Sequence, residues 1–244
     1  MGRTAIVKSP VIVPLDFAST DEALAMARRL DPSLCRVKVG KELFTAAGPQ
    51  VVDALMRMGY DVFLDLKYHD IPNTVAAACR VATRQGVWMV NMHAAGGRRM
   101  MEAAVEAIDT SATFGRSKPL VIAVTILTSL AADELPAIGL APDVEAAVMR
   151  LATLARDCGL DGVVCAAAEV PKLKHALGPG FVAVTPGIRP AGDDRGDQTR
   201  VTTPAEATKM GSDYLVIGRP ITHAPNPVAV LNGIVASIAS QDAR

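Results

Sequence analysis

The sequence carries no excess of either charge. Lys+Arg and Asp+Glu both number 25, so the formal net charge is zero. That balance argues against nucleic acid and against an anionic membrane surface as partners. Cysteine is scarce and scattered: Cys35, Cys79, Cys158 and Cys165 form no CxxC pair. A disulfide framework and a zinc site are therefore not expected, and buried reduced thiols in a cytosolic protein are. Long apolar runs are missing as well. The N-terminus has no extended apolar core of a signal peptide, Asp16 interrupts the first apolar run, and no segment is long enough to span a bilayer. The expectation is a soluble cytoplasmic protein. No GxGxxG follows the first strand-like run, which removes the usual dinucleotide signature. Low-complexity tracts are absent, and aromatics make up only 4%.

What is present is apolar and periodic. Half of the 244 residues are hydrophobic, enough for one sizeable core. Short β-rich runs occur at 11–16, 35–39, 61–65, 88–93, 120–125, 162–165, 181–185 and 214–217. Helical patterns lie between them. Ser19-Thr20-Asp21-Glu22 and Thr203-Pro204-Ala205-Glu206 read as capping boxes, Pro49 opens a helix that Gly59 follows, and Gly211 closes another. Eight strand–helix alternations without a linker predict a single (β/α)₈ barrel domain over residues 1–244. A doubly wound open sheet is the alternative. Two connections are too long to be simple turns. One runs from Leu127 to Pro136 before a further helix. The other, 186–200, reads PGIRPAGDDRGDQTR. A long polar loop inside a compact domain is usually functional, and Arg189 and Gln198 give this one donors for an anion, as a lid would need.

Barrel chemistry sits at the C-terminal ends of strands. Those ends hold Asp16, Lys38, Asp65, Lys67, His93, Thr128, Arg189 and Gly218-Arg219. Period-two alternation puts Asp65 and Lys67 on one side if the third strand runs that far. Each charge taken singly also fits a solvated edge, Asp65–Lys67 as a surface ion pair and Lys38 as a snorkelling residue. Asp16, Lys38, Asp65, Lys67 and Asp70 converging on one rim do not fit that description. Alternating Lys and Asp keep one another ionised and so form a fixed field with a proton donor. Such a site can stabilise a carbanion and then protonate it. His69, His93, His175 and His223 share no metal-binding spacing. Gly218-Arg219 after the eighth strand has the position of a barrel phosphate site.

The stretch DLKYHDIPNTV (65–75) resembles the signature of the orotidine 5'-phosphate decarboxylase family. VPLDFAS, RVKVGKELF, NMHAAGG, VTILTS, TPGIRP, DQTRV and LVIGRPIT extend the resemblance, in order, over nearly the whole chain. No functional position departs from the pattern. The resemblance implies decarboxylation of orotidine 5'-monophosphate to UMP with no cofactor and no metal. It implies that Asp16 and Lys38 hold the ribose hydroxyls and that Lys67 protonates C6 of the pyrimidine. Asp65 would stand by the departing carboxylate and help fix Lys67, with Lys38 in the same charged network. Asp70 would enter the site from the other subunit of a homodimer, with Ile71 and Thr74 near it. Thr128 would bind the pyrimidine. Arg189, Gln198, Gly218 and Arg219 would form the closing loop and phosphate clamp, and His93 would support its strand end. Two other readings stay open. Magnesium-dependent sugar-phosphate enzymes of the same barrel superfamily share the Asp-x-Lys-x-x-Asp core, but tend to follow the last Asp with Ala-Gly, where this chain has Ile71-Pro72-Asn73-Thr74. A non-catalytic nucleotide-binding barrel would give no reason for a buried proton donor.

Overall fold

In the computed structural model, which describes residues 9–111, 118–190 and 202–242, each of the eight apolar runs forms a strand. These are β1 (Val11–Pro14), β2 (Arg36–Gly40), β3 (Val62–Tyr68), β4 (Met89–His93), β5 (Leu120–Val124), β6 (Gly162–Val164), β7 (Val182–Thr185) and β8 (Tyr214–Val216). All neighbours pair in parallel, and β8 returns to β1, so the sheet closes into a (β/α)₈ barrel. Closure leaves no open edge strand and excludes the doubly wound alternative.

The connecting helices start and stop where local chemistry dictates. Ser19 caps a helix at Thr20–Arg28 by accepting from the Glu22 amide, and Thr203 caps one at Pro204–Lys209 with a full capping box. Pro49 is the cap of a helix at Gln50–Arg57, with Gly59 following at positive φ. The long connection after β5 is partly ordered. A 3₁₀ helix spans Ala132–Ile138 and contains Pro136, and an α-helix follows at Val144–Asp157. Cys35, Cys79, Cys158 and Cys165 are buried, unbridged thiols. No helix among the described residues is long and apolar enough to cross a membrane.

Strand alternation splits the core in two and thereby builds the site. Val37 and Val39 of β2, Val62 and Leu64 of β3, and Val90 and Met92 of β4 face outward, into the layer between sheet and helices. Their neighbours face the barrel axis. At mid-height Ile12, Phe63, Met89, Ile122 and Val184 plug the interior. Below them Arg36 lies 4.4 Å from the Trp88 ring centroid and 5.2 Å from that of Tyr214. One step above the plug, the same inward-facing rows reach Lys38, Asp65 and Asn91. Three polar side chains therefore meet over an apolar floor at the C-terminal mouth.

Candidate active site

At that mouth the charges form a continuous chain. Lys38 Nζ lies 3.2 Å from Asp16 Oδ1 and 3.1 Å from Asp65 Oδ2. Lys67 Nζ lies 2.7 Å from Asp65 Oδ1. Lys38 and Asp65 are buried, Lys67 is half-buried, and Asp16 reaches out to solvent. Burial pushes the Asp65 carboxyl up. The Lys38 and Lys67 ammoniums, with hydrogen bonds from Lys67 and Asn91, outweigh burial and hold it below the usual carboxylate range. Burial pulls Lys38 down, but Asp65 and Asp16 more than restore it, so it stays protonated. Gly40 belongs to this construction. A Cβ there would stand 3.0 Å from Asp16 Oδ1 and 3.1 Å from Lys38 Nζ, tight enough that one of the two tips would have to shift.

β3 runs three residues beyond the end expected from sequence, and not as regular strand. It pairs with β4 at Leu64↔Val90 and next at Tyr68↔Met92. Asp65, Leu66 and Lys67 thus stand opposite Asn91 alone, a bulge of two extra residues. Lys67 has φ 50, the left-handed region, and no other non-glycine among the described residues shares it. Strain of this kind costs about 1–3 kcal/mol and persists where surrounding structure imposes it. Alternation alone therefore does not account for Asp65 and Lys67 sharing a side; the bulge turns the lysine back onto the carboxylate. Asn91, the first residue of the NMHAAGG stretch but given no role from sequence, supports the bulge. It is fully buried, its Nδ2 donates to Asp65 Oδ1 at 2.6 Å, and its Oδ1 accepts from the Lys67 amide at 2.8 Å. Its signals in the sequence are its place in that stretch and its polarity at an inward position of an apolar strand.

Lys38, Asp65 and Lys67 share a cavity of about 190 Å³ with Phe63, Ile126, Thr128 and Val216. That is below the ~300–1,000 Å³ of whole small-molecule sites, so this part admits a ring rather than a nucleotide. Its walls are apolar apart from Thr128 and the charged chain. Asp70, Ile71 and Thr74 do not join it. They are exposed, and Asp70 accepts a hydrogen bond from the Ile71 amide at 2.6 Å. Asp70 and Thr74 instead border a second cavity of about 440 Å³ outside the mouth, which Lys67 also touches. His93 ends β4 beside His69, their ring centroids 5.4 Å apart. Burial, then His69, Lys41 and Lys67, depress its pKa against the pull of Asp65. Across the mouth, Arg189 is buried and its amide donates to the Thr202 carbonyl at 3.1 Å. The Ile188–Thr202 bridge joins the two ends of the long loop. Gln198 and most of that loop lie outside the described residues. Gly218 packs against Pro14 and Arg219 is exposed at the start of a four-residue helix, Arg219–Thr222. Among the described residues no three His, Cys, Asp or Glu side chains gather into a metal-binding group.

The chain is similar to proteins already known. A curated relative from Chromobacterium violaceum, named orotidine 5'-phosphate decarboxylase, is 60% identical over 93% of this chain and 90% of its own length. One of the same name from Laribacter hongkongensis is 58% identical over 96% of this chain and 94% of its own. Among solved structures, orotidine 5'-phosphate decarboxylase from Lactobacillus acidophilus superposes with a TM-score of 0.85 at 38% identity, over 94% of this chain and 98% of that one. The family model described as orotidine 5'-phosphate decarboxylase / HUMPS family matches residues 9–234. A match over nearly all of the barrel, its charged mouth included, settles the kinship: the chain belongs to the orotidine 5'-phosphate decarboxylase / HUMPS family.

Proposed function

We infer that this protein is a carboxy-lyase that converts orotidine 5'-monophosphate to UMP and CO₂ in pyrimidine biosynthesis. The observation that carries the reading is the paired Lys38–Asp65–Lys67 array over an apolar floor, in a chain 53–60% identical to relatives bearing that name. We read residues 1–244 as one barrel domain with one such site, working in the cytoplasm. The family match and the four buried thiols support that reading.

The chemistry follows from the charges. Breaking the bond between C6 and the carboxylate releases CO₂ and leaves an electron pair in the plane of the ring, where the π system does not delocalise it. The uncatalysed barrier is correspondingly high, and enzymes remove ~8–23 kcal/mol from such barriers. The Lys67 ammonium stabilises the developing carbanion and then gives it a proton, forming the C6–H bond of UMP. Lysine recovers its proton from water. Asp65 aims that ammonium through its 2.7 Å contact, and stands where the carboxylate departs. Lys38 and Asp16 take the ribose hydroxyls, and Thr128 the pyrimidine edge. Asp70, Ile71 and Thr74 serve the site of a partner subunit in a homodimer; their exposure beside the outer cavity supports this. Arg189, Gln198, Gly218 and Arg219 hold the phosphate. Phosphate contacts far from C6 can drive closure of the loop and so contribute to the chemical step.

The test is loss of orotidylate absorbance with purified protein in excess EDTA. Undiminished turnover supports the reading. Turnover that vanishes on chelation and returns with magnesium would favour a sugar-phosphate enzyme of the same family instead. The phosphate role has its own test. Arg219→Ala is expected to lower kcat/KM for orotidine 5'-monophosphate by about 10²-fold or more, since charged hydrogen bonds are each worth ~1.5–3 kcal/mol. The nucleoside lacking phosphate should be affected no more than about threefold, and phosphite dianion should activate its turnover in the wild type only. Equal losses on both substrates would remove Arg219 from the clamp.

A further inference from the structure

We propose that Asn91 is a positioning residue of the reaction, clamping Asp65 and Lys67 into their working geometry from the facing strand. The inference rests on the function above and assigns a role to a residue that touches neither the reacting carbon nor the phosphate.

The argument begins with the bulge. Between Leu64↔Val90 and Tyr68↔Met92, β3 supplies Asp65, Leu66 and Lys67 while β4 supplies Asn91. One residue cannot ladder with three, so the arch leaves backbone groups without a ladder partner. The Asn91 carboxamide takes one of them, the Lys67 amide, and bonds the Asp65 carboxylate at the other end of the arch. Its orientation is fixed by chemistry. A backbone N–H only donates, so the atom facing Lys67 N is Oδ1; an ionised carboxylate only accepts, so the atom facing Asp65 is Nδ2. Flipping the amide would break both bonds.

Each bond has a separate consequence. The 2.8 Å bond holds the Lys67 amide while its backbone sits at φ 50, a conformation a lysine leaves when released. The 2.6 Å bond fixes the rotation of the Asp65 carboxylate. Oδ1 then takes Asn91 and Lys67, and Oδ2 takes Lys38. One amide thereby distributes the two lysines over the two oxygens. Because Asn91 is fully buried and absent from the lining of the mouth cavity, its loss should change the chemical step and leave nucleotide affinity alone.

Three measurements on the purified protein test this. Asn91→Ala should lower kcat about 10- to 100-fold, the value of one hydrogen bond to a buried charge, with the UMP dissociation constant within about threefold of wild type. Asn91→Asp is the sharper variant, because it keeps the shape of the side chain. When protonated, the new carboxyl donates to Asp65 and accepts from the Lys67 amide, as the amide does. When ionised, it sets two carboxylates against each other, which raises its pKa. This variant should therefore be active at low pH and lose kcat as pH rises past the raised pKa of the new carboxyl, a limb absent from the wild type. A purely structural role would not produce that limb. The third measurement needs no turnover: in protein labelled with ¹³C-aspartate, the Asp65 carboxyl, assigned by its loss in Asp65→Asn, should titrate higher in Asn91→Ala than in the wild type. Wild-type kcat in Asn91→Ala, or an Asn91→Asp pH profile that superimposes on the wild type, would overturn the proposal. Should Asn91→Ala not fold, the Asn91→Asp profile decides alone. A wild type that leaves orotidylate untouched would overturn the function instead, and the Asp65 titration would still decide the role of Asn91.

Discussion

Lys67→Ala is expected to reduce turnover by about 10⁴-fold or more while UMP still binds within about tenfold of wild type. Two separate contributions disappear together. Delivery of a proton by a positioned group is worth ~10²–10⁴-fold. A preorganised charge aimed at the developing carbanion is worth ~10²–10³-fold. Lys67 is the only cation in contact with Asp65 Oδ1 among the described residues, and Lys38 is committed to Oδ2 and Asp16. No neighbour is placed to take over. Binding should survive because the apolar walls, Thr128 and the residues we propose for the phosphate are untouched by the change. Single-turnover rates and calorimetric UMP binding separate the two effects. Turnover within tenfold of wild type would remove Lys67 as the proton donor. Equal losses in turnover and binding would make it a binding residue instead.

The barrel is legible in the sequence because its signals are local. Apolar runs of four to six residues, punctuated by caps such as Ser19 and Thr203, give strand and helix positions to within a few residues. Lys38 and Asp65 are legible too, since a charge at an inward position of an apolar strand is costly to bury unless it is paired or takes part in chemistry. The end of β3 is not. Its bulge depends on how many residues β4 places opposite it, and that is a property of pairing between segments some 25 positions apart rather than of either segment alone. The positive φ of Lys67 and the clamp by Asn91 follow from the same mismatch, so they are hidden with it. Asn91 also lacks a charge, and a buried amide satisfied by two partners looks in sequence like any polar residue in a strand. Gln198 stands out only as a donor in a polar loop and through the family resemblance, and it lies outside the described residues.

Asp70 poses the remaining question, because it shares a motif with Lys67 but not a cavity with Asp65. Its carboxylate is exposed and accepts from its neighbour's amide, and Ile71 beside it is 68% exposed. A large apolar side chain left in water next to an acid is what an isologous interface would cover. In the homodimer we propose, each chain lends this patch to the other's mouth. Asp70→Ala should then lower turnover by at least about 10²-fold, as loss of one preorganised group does. Mixing decides whose site Asp70 serves. Asp70→Ala and Lys67→Ala proteins, each nearly inactive, are combined in equal amounts and allowed to exchange subunits. In a mixed dimer, one site takes Lys67 from the first chain and Asp70 from the second, and is intact. The other site carries both defects. Random reassortment makes half the dimers mixed, so about a quarter of wild-type activity should return. If Asp70 serves its own chain, every site in the mixture keeps one defect and no activity returns. That outcome, with exchange demonstrated by native mass spectrometry, would refute the shared site.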